Sequence, residues 1–243
     1  MQVVLLAAGL GSRLGALTEK LPKALIEVGG ETLLARAVRF AERLHPEQIV
    51  VVGGFGYDGV AAEIARRRLA VTLVQNASFQ DGNLVSLMAA RPHIKGDFLL
   101  MNVDHVYRPA VARLVAPPVD DVTAFVDQDR TLGPDDMKVA RDDRGRVREI
   151  AKTLTQYDCG YVGMTRVPAS ELDRYWAAAD SALLAEGRAI HVEKILARLA
   201  ASPASDRRPA CRDISGIGWL EVDLREERDH ADSVVRSAPG EWA

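Results

Sequence analysis

The chain opens on a short, uninterrupted apolar run that leads directly into a glycine-rich segment. Residues 3–7 are all apolar, and Gly9 and Gly11 follow at once. A run this short and without polar alternation predicts a strand buried on both faces, as in a parallel sheet. Similar strands are predicted at residues 49–52, 71–74 and 97–103, with helices at 33–41, 58–68 and 83–90. This alternation predicts an α/β fold with a doubly wound, mostly parallel mixed sheet in a single domain.

The second half of the chain has a different pattern. Residues 137–140 and 147–150 flank a turn that contains Gly145, which is typical of a β-hairpin. We expect these antiparallel strands to extend the sheet at the edge of a ligand cleft. Helices are predicted at residues 169–186 and 192–200, a last strand at 218–222 and a charged helix after it, whereas 160–162 and 202–213 carry no pattern that we assign. We expect a nucleotide-binding half at about 1–107 and an acceptor-binding half at about 108–243.

Composition limits the classes of partner. Lysine and arginine total 31 and aspartate and glutamate 34, so the net charge of −3 offers no broad basic surface for nucleic acid or a membrane. No apolar stretch is long enough to span a bilayer, and the first apolar run lacks the positive region of a signal peptide. We therefore expect a cytoplasmic protein with no nucleic-acid or membrane partner. Cys159 and Cys211 are too few for a disulfide scaffold, and we interpret both as small buried side chains.

The glycine-rich segment is the strongest functional signal. It extends from Leu6 to Leu14 (Leu-Ala-Ala-Gly-Leu-Gly-Ser-Arg-Leu), and Pro22-Lys23 ends the loop that follows. Glycines after a buried strand let backbone N–H groups approach phosphate oxygens without interference from a Cβ atom. Arg13 and Lys23 add two cations at the same strand end, which is enough charge to hold a triphosphate.

Two better-known phosphate loops do not match. The dinucleotide-binding fingerprint requires Gly-x-Gly-x-x-Gly, but here the third glycine is Gly15, one position late. The P-loop requires Gly-Lys-Ser/Thr at the start of a helix, and this triplet does not occur in the chain. Together with Pro22-Lys23, these differences argue against an NAD-linked oxidoreductase.

The segment resembles the signature of sugar-phosphate nucleotidyltransferases of the GT-A-like, Rossmann-like type. In that family a strand leads to Leu-Ala-Ala-Gly-x-Gly-Ser/Thr-Arg and then to Pro-Lys. The resemblance implies a nucleotidyltransferase that binds its nucleotide through Leu6, Ala8, Gly9, Gly11, Ser12, Arg13 and Lys23. It also implies that Arg13 and Lys23 are catalytic, with Lys23 supporting the transition state at the α-phosphate. The alternative is a glycine-rich turn with surface cations.

Two aspartates follow predicted strands. Asp104 comes after the strand at residues 97–103, and Asp223 after the strand at 218–222. Ligands bind at the carboxyl ends of strands in doubly wound sheets, and carboxylates with phosphate oxygens are a typical setting for Mg²⁺. The resemblance implies that Asp104 and Asp223 bind this metal and that Asp104 also contacts the nucleotide. Either aspartate could instead cap a helix. His105 has no second histidine nearby that would favour zinc.

A polar stretch opens the helix predicted at residues 83–90. Gly82-Asn83 stands at its start, and Ser86 follows one turn later. The family reads the base with this region, so the resemblance implies that Gly82, Asn83 and Ser86 bind the nucleotide. The alternative is that Asn83 caps the helix and Ser86 belongs to its first turn.

Lys152 follows the predicted hairpin. A lysine beside the acceptor pocket can neutralise the acceptor phosphate as it approaches an anionic α-phosphate, although an exposed lysine is often simply solvated. The family's second lysine stands in a similar place, which implies that Lys152 binds the acceptor.

Several short runs resemble the CTP:inositol-1-phosphate cytidylyltransferases within this family. They are residues 82–87, 104–107, 152–154 and 158–159. The resemblance implies magnesium-dependent transfer of CMP from CTP to inositol-1-phosphate or a similar phosphorylated alcohol, with release of pyrophosphate. The alternatives are a phosphocholine cytidylyltransferase, a nucleotidyltransferase for a sugar-1-phosphate and a non-catalytic nucleotide-sugar-binding protein. A homodimer is compatible with the sequence.

Overall fold

A computed structural model describes residues 1–18 and 21–242. Residues 19, 20 and 243 lie outside the described residues. The strands are β1 (Gln2–Ala7), β2 (Glu27–Val28), β3 (Glu31–Thr32), β4 (Gln48–Gly53), β5 (Thr72–Gln75), β6 (Phe98–Asn102), β7 (His105–Tyr107), β8 (Thr123–Asp127), β9 (Lys138–Arg141), β10 (Val147–Ala151), β11 (Cys159–Val167), β12 (Ala210–Asp213) and β13 (Trp219–Glu221). The α-helices are α1 (Leu33–Glu42), α2 (Tyr57–Arg67), α3 (Asn83–Ala90), α4 (Ala112–Val115), α5 (Leu172–Glu186), α6 (Glu193–Ala200) and α7 (Arg225–Ser237).

Strands β5, β4, β1 and β6 lie side by side in that order and are all parallel. β1 is buried along its whole length, as expected for a strand with neighbours on both edges and helices on both faces. Ala7 is level with Gly53, and Leu6 with Asn102, so the loops after β1, β4 and β6 leave the sheet at one edge. The first half of the sequence therefore forms the parallel sheet that its pattern predicts.

The other part of the sheet is mainly antiparallel. β6 pairs with β11, which pairs in turn with β8 and β9, and β12 adds to β8 in parallel. The predicted hairpin is confirmed, because β9 and β10 pair with Val147 opposite Arg141 and Ala151 opposite Lys138. The sheet formed by the described residues has nine strands and is mixed, as predicted.

Helices cover both faces of the sheet. Val4 and Leu6 of β1 belong to an apolar cluster with α3, α5 and α6, whereas Val3 and Leu5 belong to a cluster with α1, α2 and α4. This alternation along β1 is the doubly wound arrangement. Across residues 1–18 and 21–242, no helix combines the length and apolar character that crossing a bilayer requires.

Candidate active site

Gly11 shapes the loop after β1. It has a left-handed backbone with φ of 69° and precedes a short 3-10 helix that begins at Ser12. A Cβ atom at Gly11 would lie 2.9 Å from the Cβ of Lys23, which is closer than such atoms approach. The position therefore requires glycine for its backbone conformation and for its contact with Lys23.

A second strand pair brings the two predicted metal ligands together. β7 and β13 pair antiparallel with Glu221 opposite His105, and the Val222 N–H donates to the Asp104 carbonyl oxygen at 3.0 Å. Asp104 immediately precedes β7, and Asp223 follows β13 closely. The small ladder therefore joins two acidic residues that are far apart in the sequence.

Asp104 and Asp223 converge on the ammonium group of Lys23. Lys23 Nζ lies 2.6 Å from Asp104 Oδ2 and makes a second ion pair with Asp223 Oδ1, while Arg13 Nη2 lies 2.5 Å from Asp223 Oδ2. Burial alone would lower the pKa of Lys23, but the two carboxylates hold that pKa above its usual value. Burial alone would raise the pKa of Asp104, but Lys23 and His105 hold it far below its usual range. Lys23 is therefore cationic and Asp104 anionic at neutral pH.

His105 is fixed against Asp104 by hydrogen bonding and ring stacking. Its Nδ1 lies 2.6 Å from Asp104 Oδ1, and its ring stacks on Trp219 and Tyr107 with centroid separations of 5.1 and 5.9 Å. Gly163, with φ of 73°, makes room for this ring, because a Cβ atom there would lie 2.8 Å from His105 Nε2. Burial alone would lower the pKa of His105, but Asp104 raises it above the usual value. His105 therefore holds the carboxylate of Asp104 in place and favours its charged form.

Glu221 is a third carboxylate at this end of the site, and no sequence pattern led us to assign it. Its Oε2 lies 3.2 Å from Arg130 Nη1, and Arg130 Nη2 lies 3.3 Å from Asp136 Oδ1. Burial raises the pKa of Glu221. Its spacing of two residues from Asp223 is a signal that could have indicated it, because alternate residues of an extended chain share a face.

The predicted base-binding residues lie around the start of α3. Gly82, with φ of 100°, precedes Asn83, the first residue of the helix. The Asn83 side-chain oxygen accepts a hydrogen bond from the Val192 N–H at 2.8 Å and does not cap α3. Ser86 is buried, and its Oγ accepts a hydrogen bond from Asn76 Nδ2 at 2.9 Å. The capping alternative is therefore wrong for Asn83. The Ser86 hydroxyl still has its own proton to donate.

Lys152 lies in the turn after β10. Its backbone oxygen accepts a hydrogen bond from Lys138 Nζ at 2.8 Å, and Lys138 Nζ also donates to the Gly133 carbonyl oxygen at 2.7 Å. The buried Lys138 thus fixes this turn, while the exposed Lys152 side chain lies at the cavity wall. The Lys138 side chain is therefore buried and hydrogen-bonded, whereas the Lys152 side chain is exposed.

One cavity of about 370 Å³ connects these groups. All the residues predicted for nucleotide, acceptor and metal binding line it: Leu6, Ala8, Gly9, Gly11, Ser12, Arg13, Lys23, Gly82, Asn83, Ser86, Asp104, Lys152 and Asp223. The lining also includes polar residues that were not predicted: Gln80, Asn102, Asp135, Asp136, His191, Glu193 and Glu221. The predicted set is therefore one site in space, although the role of each residue stays a prediction.

The carboxylate pair suits a hard divalent cation. Asp104 and Asp223 each place an oxygen against the same ammonium nitrogen, so the two oxygens lie within reach of one ion. Proteins bind Mg²⁺ through one or two carboxylates together with substrate phosphates and water. The residues that the structure describes contain no cluster of three or more histidine, cysteine or acidic side chains suited to a metal ion. The donor set therefore fits Mg²⁺ better than zinc, which needs three or four protein ligands.

Known proteins with similar sequences are nucleotidyltransferases. Residues 3–157 match the family model of the MobA-like NTP transferase domain. A protein of Rubrobacter xylanophilus named bifunctional IPC transferase and DIPP synthase is 32% identical over 233 residues, which cover 95% of this chain and 51% of that protein. The chain spans about half the length of the curated relatives of this name that it matches.

Solved structures with a similar fold have low sequence identity. The inositol-1-phosphate CTP transferase of T. maritima superimposes with a TM-score of 0.83 at 18% identity, covering 98% of this chain and 96% of that one. The CTP:phosphocholine cytidylyltransferase of Streptococcus pneumoniae has a TM-score of 0.75 at 19% identity, with coverages of 96% and 98%. At these identities the likeness establishes the fold, which is the α/β arrangement predicted.

Proposed function

Because this chain belongs to the MobA-like NTP transferase family, we propose that it transfers CMP from CTP to a phosphorylated small alcohol such as inositol-1-phosphate. The observation that carries the proposal is the meeting of Lys23 with Asp104 and Asp223 at one wall of the cavity. The Gly11 loop and Arg13 border the same place, which is where a triphosphate would lie. A triphosphate needs cationic side chains such as Arg13 and Lys23, and a divalent cation needs carboxylates such as Asp104 and Asp223.

The reaction is an in-line displacement. An oxygen of the acceptor phosphate attacks the α-phosphorus of CTP, a new P–O bond forms, and the bond to the bridging oxygen of pyrophosphate breaks. Such transfers need no covalent nucleophile, because positioning and charge neutralisation lower the barrier. Arg13 and Lys23 meet charge on the α-phosphate and the leaving group, and Lys152 holds the acceptor phosphate. Asp104 and Asp223 would hold Mg²⁺, which when bound neutralises further phosphate charge.

Support for CTP and for the acceptor comes from different sources. Two proteins with this fold are an inositol-1-phosphate CTP transferase and a CTP:phosphocholine cytidylyltransferase, and both names include CTP. Relatives named IPC transferase match 93–98% of this chain, whereas relatives named GlmU or glucose-1-phosphate uridylyltransferase match 50–71% of it. The wider match, together with the fold of an inositol-1-phosphate CTP transferase, favours inositol-1-phosphate over a sugar-1-phosphate as the acceptor. A non-catalytic nucleotide-sugar-binding protein is disfavoured, since it would have no use for Lys23, Asp104 and Asp223 together.

A screen of pyrophosphate release tests the proposal. Four nucleoside triphosphates are each combined with inositol-1-phosphate, phosphocholine and common sugar-1-phosphates in the presence of Mg²⁺. We expect the highest kcat/KM for CTP with inositol-1-phosphate, because a site that pairs its polar groups with cytosine leaves them unpaired with another base. Equal kcat/KM values for CTP and UTP would show that the site distinguishes the size of the base but not its hydrogen-bonding groups. A preference for a purine would overturn the assignment of CTP, and preference for a different acceptor would overturn that of inositol-1-phosphate.

A further inference from the structure

Residues 187–193, which run from the end of α5 to the first residue of α6, are attached to the start of α3. The Leu84 N–H donates to the Ile190 carbonyl oxygen at 3.3 Å, and the Val192 N–H donates to Asn83 Oδ1 at 2.8 Å. Gly82 lies directly against Ile190, where a Cβ atom would overlap its carbonyl group. The segment and the predicted base-binding loop therefore form one unit.

The same segment exposes two side chains to the cavity. Ile190 and Val192 are buried in the apolar cluster, whereas His191 and Glu193 line the cavity. An ion pair of 2.7 Å between Arg188 and Asp81 joins the start of the segment to the residue before Gly82. Glu193 is thus held in a defined position at the cavity wall.

Glu193 differs from the other acidic residues of the cavity in having no partner. Each of the others has a cation within ion-pair distance: Lys23 for Asp104 and Asp223, Arg13 for Asp135, and Arg130 for Asp136 and Glu221. Among the described residues, the Glu193 carboxylate accepts no hydrogen bond and joins no ion pair, and its Oε2 is shielded from solvent. A carboxylate in this state costs free energy unless a ligand completes its hydrogen bonding.

The position of Glu193 indicates the acceptor side of the cavity. It begins α6, which packs on β10, and Lys152 directly follows β10. Burial, and then the charge of Glu193, raise the pKa of the Tyr161 and Tyr175 hydroxyls. Tyr161 lies on β11 beside the hairpin and its N–H donates to the Met137 carbonyl oxygen at 2.8 Å. Glu193 therefore adjoins both the start of α3 and the strands that lead to Lys152.

We infer that Glu193 accepts a hydrogen bond from a hydroxyl group of the acceptor whose phosphate Lys152 binds. This inference rests on the proposed function, since it assumes a phosphorylated acceptor. A hydroxyl is the group whose O–H can use the free carboxylate oxygens, whereas an alkyl tail would leave them unpaired. Glu193 thus makes the enzyme select hydroxyl-bearing acceptors over alkyl phosphates.

The test compares two acceptors that differ in hydroxyl groups. The ratio of kcat/KM for inositol-1-phosphate to that for ethyl phosphate is measured with CTP and Mg²⁺ in the wild type, E193Q and E193A. We expect E193A to lower the ratio about tenfold or more, the effect of losing a hydrogen bond to a charged group, with the KM for CTP unchanged. E193Q keeps one oxygen that can accept a hydrogen bond, so its ratio should lie between the other two.

E186Q is the matched control, because Glu186 ends α5 and pairs with Lys194 and Arg198 at 2.7 and 3.1 Å. It should keep the wild-type ratio. A merely structural role of Glu193, as a favourable charge at the start of α6, would change the melting temperature but not the ratio. An unchanged ratio in E193A, or a raised KM for CTP alone, would overturn the inference and leave the proposed function standing. No pyrophosphate release by the wild type with any acceptor would overturn both.

Discussion

Asp104 and Asp223 share one cation, the ammonium group of the buried Lys23. One carboxylate follows β6 and the other follows β13, so the pairing of β7 with β13 is what brings them together. With only one of the two carboxylates, part of the positive charge of the buried Lys23 would have no partner. The metal assignment and the catalytic assignment of Lys23 therefore depend on the same geometry.

Replacing either aspartate by asparagine should abolish magnesium-dependent turnover. Asparagine keeps the size of the side chain but removes the negative charge that attracts the cation. We expect each of Asp104→Asn and Asp223→Asn to lower kcat at saturating Mg²⁺ by about 10²-fold or more. Rates measured across a Mg²⁺ titration, with melting temperatures to show that the fold is intact, provide the test.

Asp143→Asn is the control for these variants, since Asp143 is exposed in the turn of the hairpin. It removes the same charge and should leave both rate and melting temperature unchanged. Wild-type rates in Asp104→Asn and Asp223→Asn would show that the metal assignment is wrong.

Lys23→Ala should act mainly on kcat. A cation beside the α-phosphate contributes most when charge develops there in the transition state, so we expect a loss of about 10²-fold or more in kcat. Steady-state kinetics with varied CTP separate this effect from one on KM. Lys95→Ala removes an exposed lysine and serves as the comparison. If Lys23→Ala only raised the KM for CTP, Lys23 would be an ordinary binding residue.

Lys152→Ala should raise the KM for the acceptor and leave that for CTP unchanged. Its side chain is the exposed member of the lysine pair at the hairpin, and its loss removes a charge-assisted contact to the acceptor phosphate. We expect an increase of about tenfold, as for other hydrogen bonds to charged groups. Initial rates at varied acceptor and fixed CTP measure it. Equal acceptor KM values for variant and wild type would place the acceptor phosphate elsewhere.

Gly82→Ala should destabilise the protein. The backbone φ of 100° is unfavourable for alanine, and the new Cβ atom would overlap the Ile190 carbonyl group. We expect the free energy of unfolding to fall by about 2 kcal/mol and the melting temperature by about 4 °C or more. Gly96→Ala is the control, because a Cβ atom there meets nothing within 4 Å. Equal melting temperatures for the two variants would contradict the tight packing of α3 against residues 187–193.

Local patterns predicted the parts of the site that depend on local chemistry. The buried run of β1, the glycine loop after it and the β9–β10 hairpin are each visible in a short window of sequence, and the structure confirms all three. Thr32, a threonine directly before an apolar helical run, likewise caps α1, because its hydroxyl accepts a hydrogen bond from the Ala35 N–H at 3.2 Å.

The unpredicted parts depend on contacts between distant segments. β11 is buried along its whole length, yet it contains Gly160, Gly163 and Arg166, which do not resemble a strand core. Arg166 is tolerated there because its Nη1 donates to the carbonyl oxygens of Val115, Ala116 and Pro117 at 2.8–2.9 Å. No local pattern reports such partners. The place of Glu193 in the cavity was missed for the same reason, whereas Glu221 could have been indicated by its spacing of two residues from Asp223.

The most direct test of the proposed function is to follow the reaction by phosphorus NMR. CTP, inositol-1-phosphate, Mg²⁺ and the protein are incubated together, and the phosphorus-containing products are identified. Attack at the α-phosphorus predicts equal amounts of inorganic pyrophosphate and a CDP-linked alcohol. The two phosphorus atoms of the CDP-linked alcohol share a bridging oxygen, so their signals are coupled. Formation of CDP with a bisphosphorylated alcohol, or of CDP with free phosphate, would contradict the account, because either would place the attack at the γ-phosphorus.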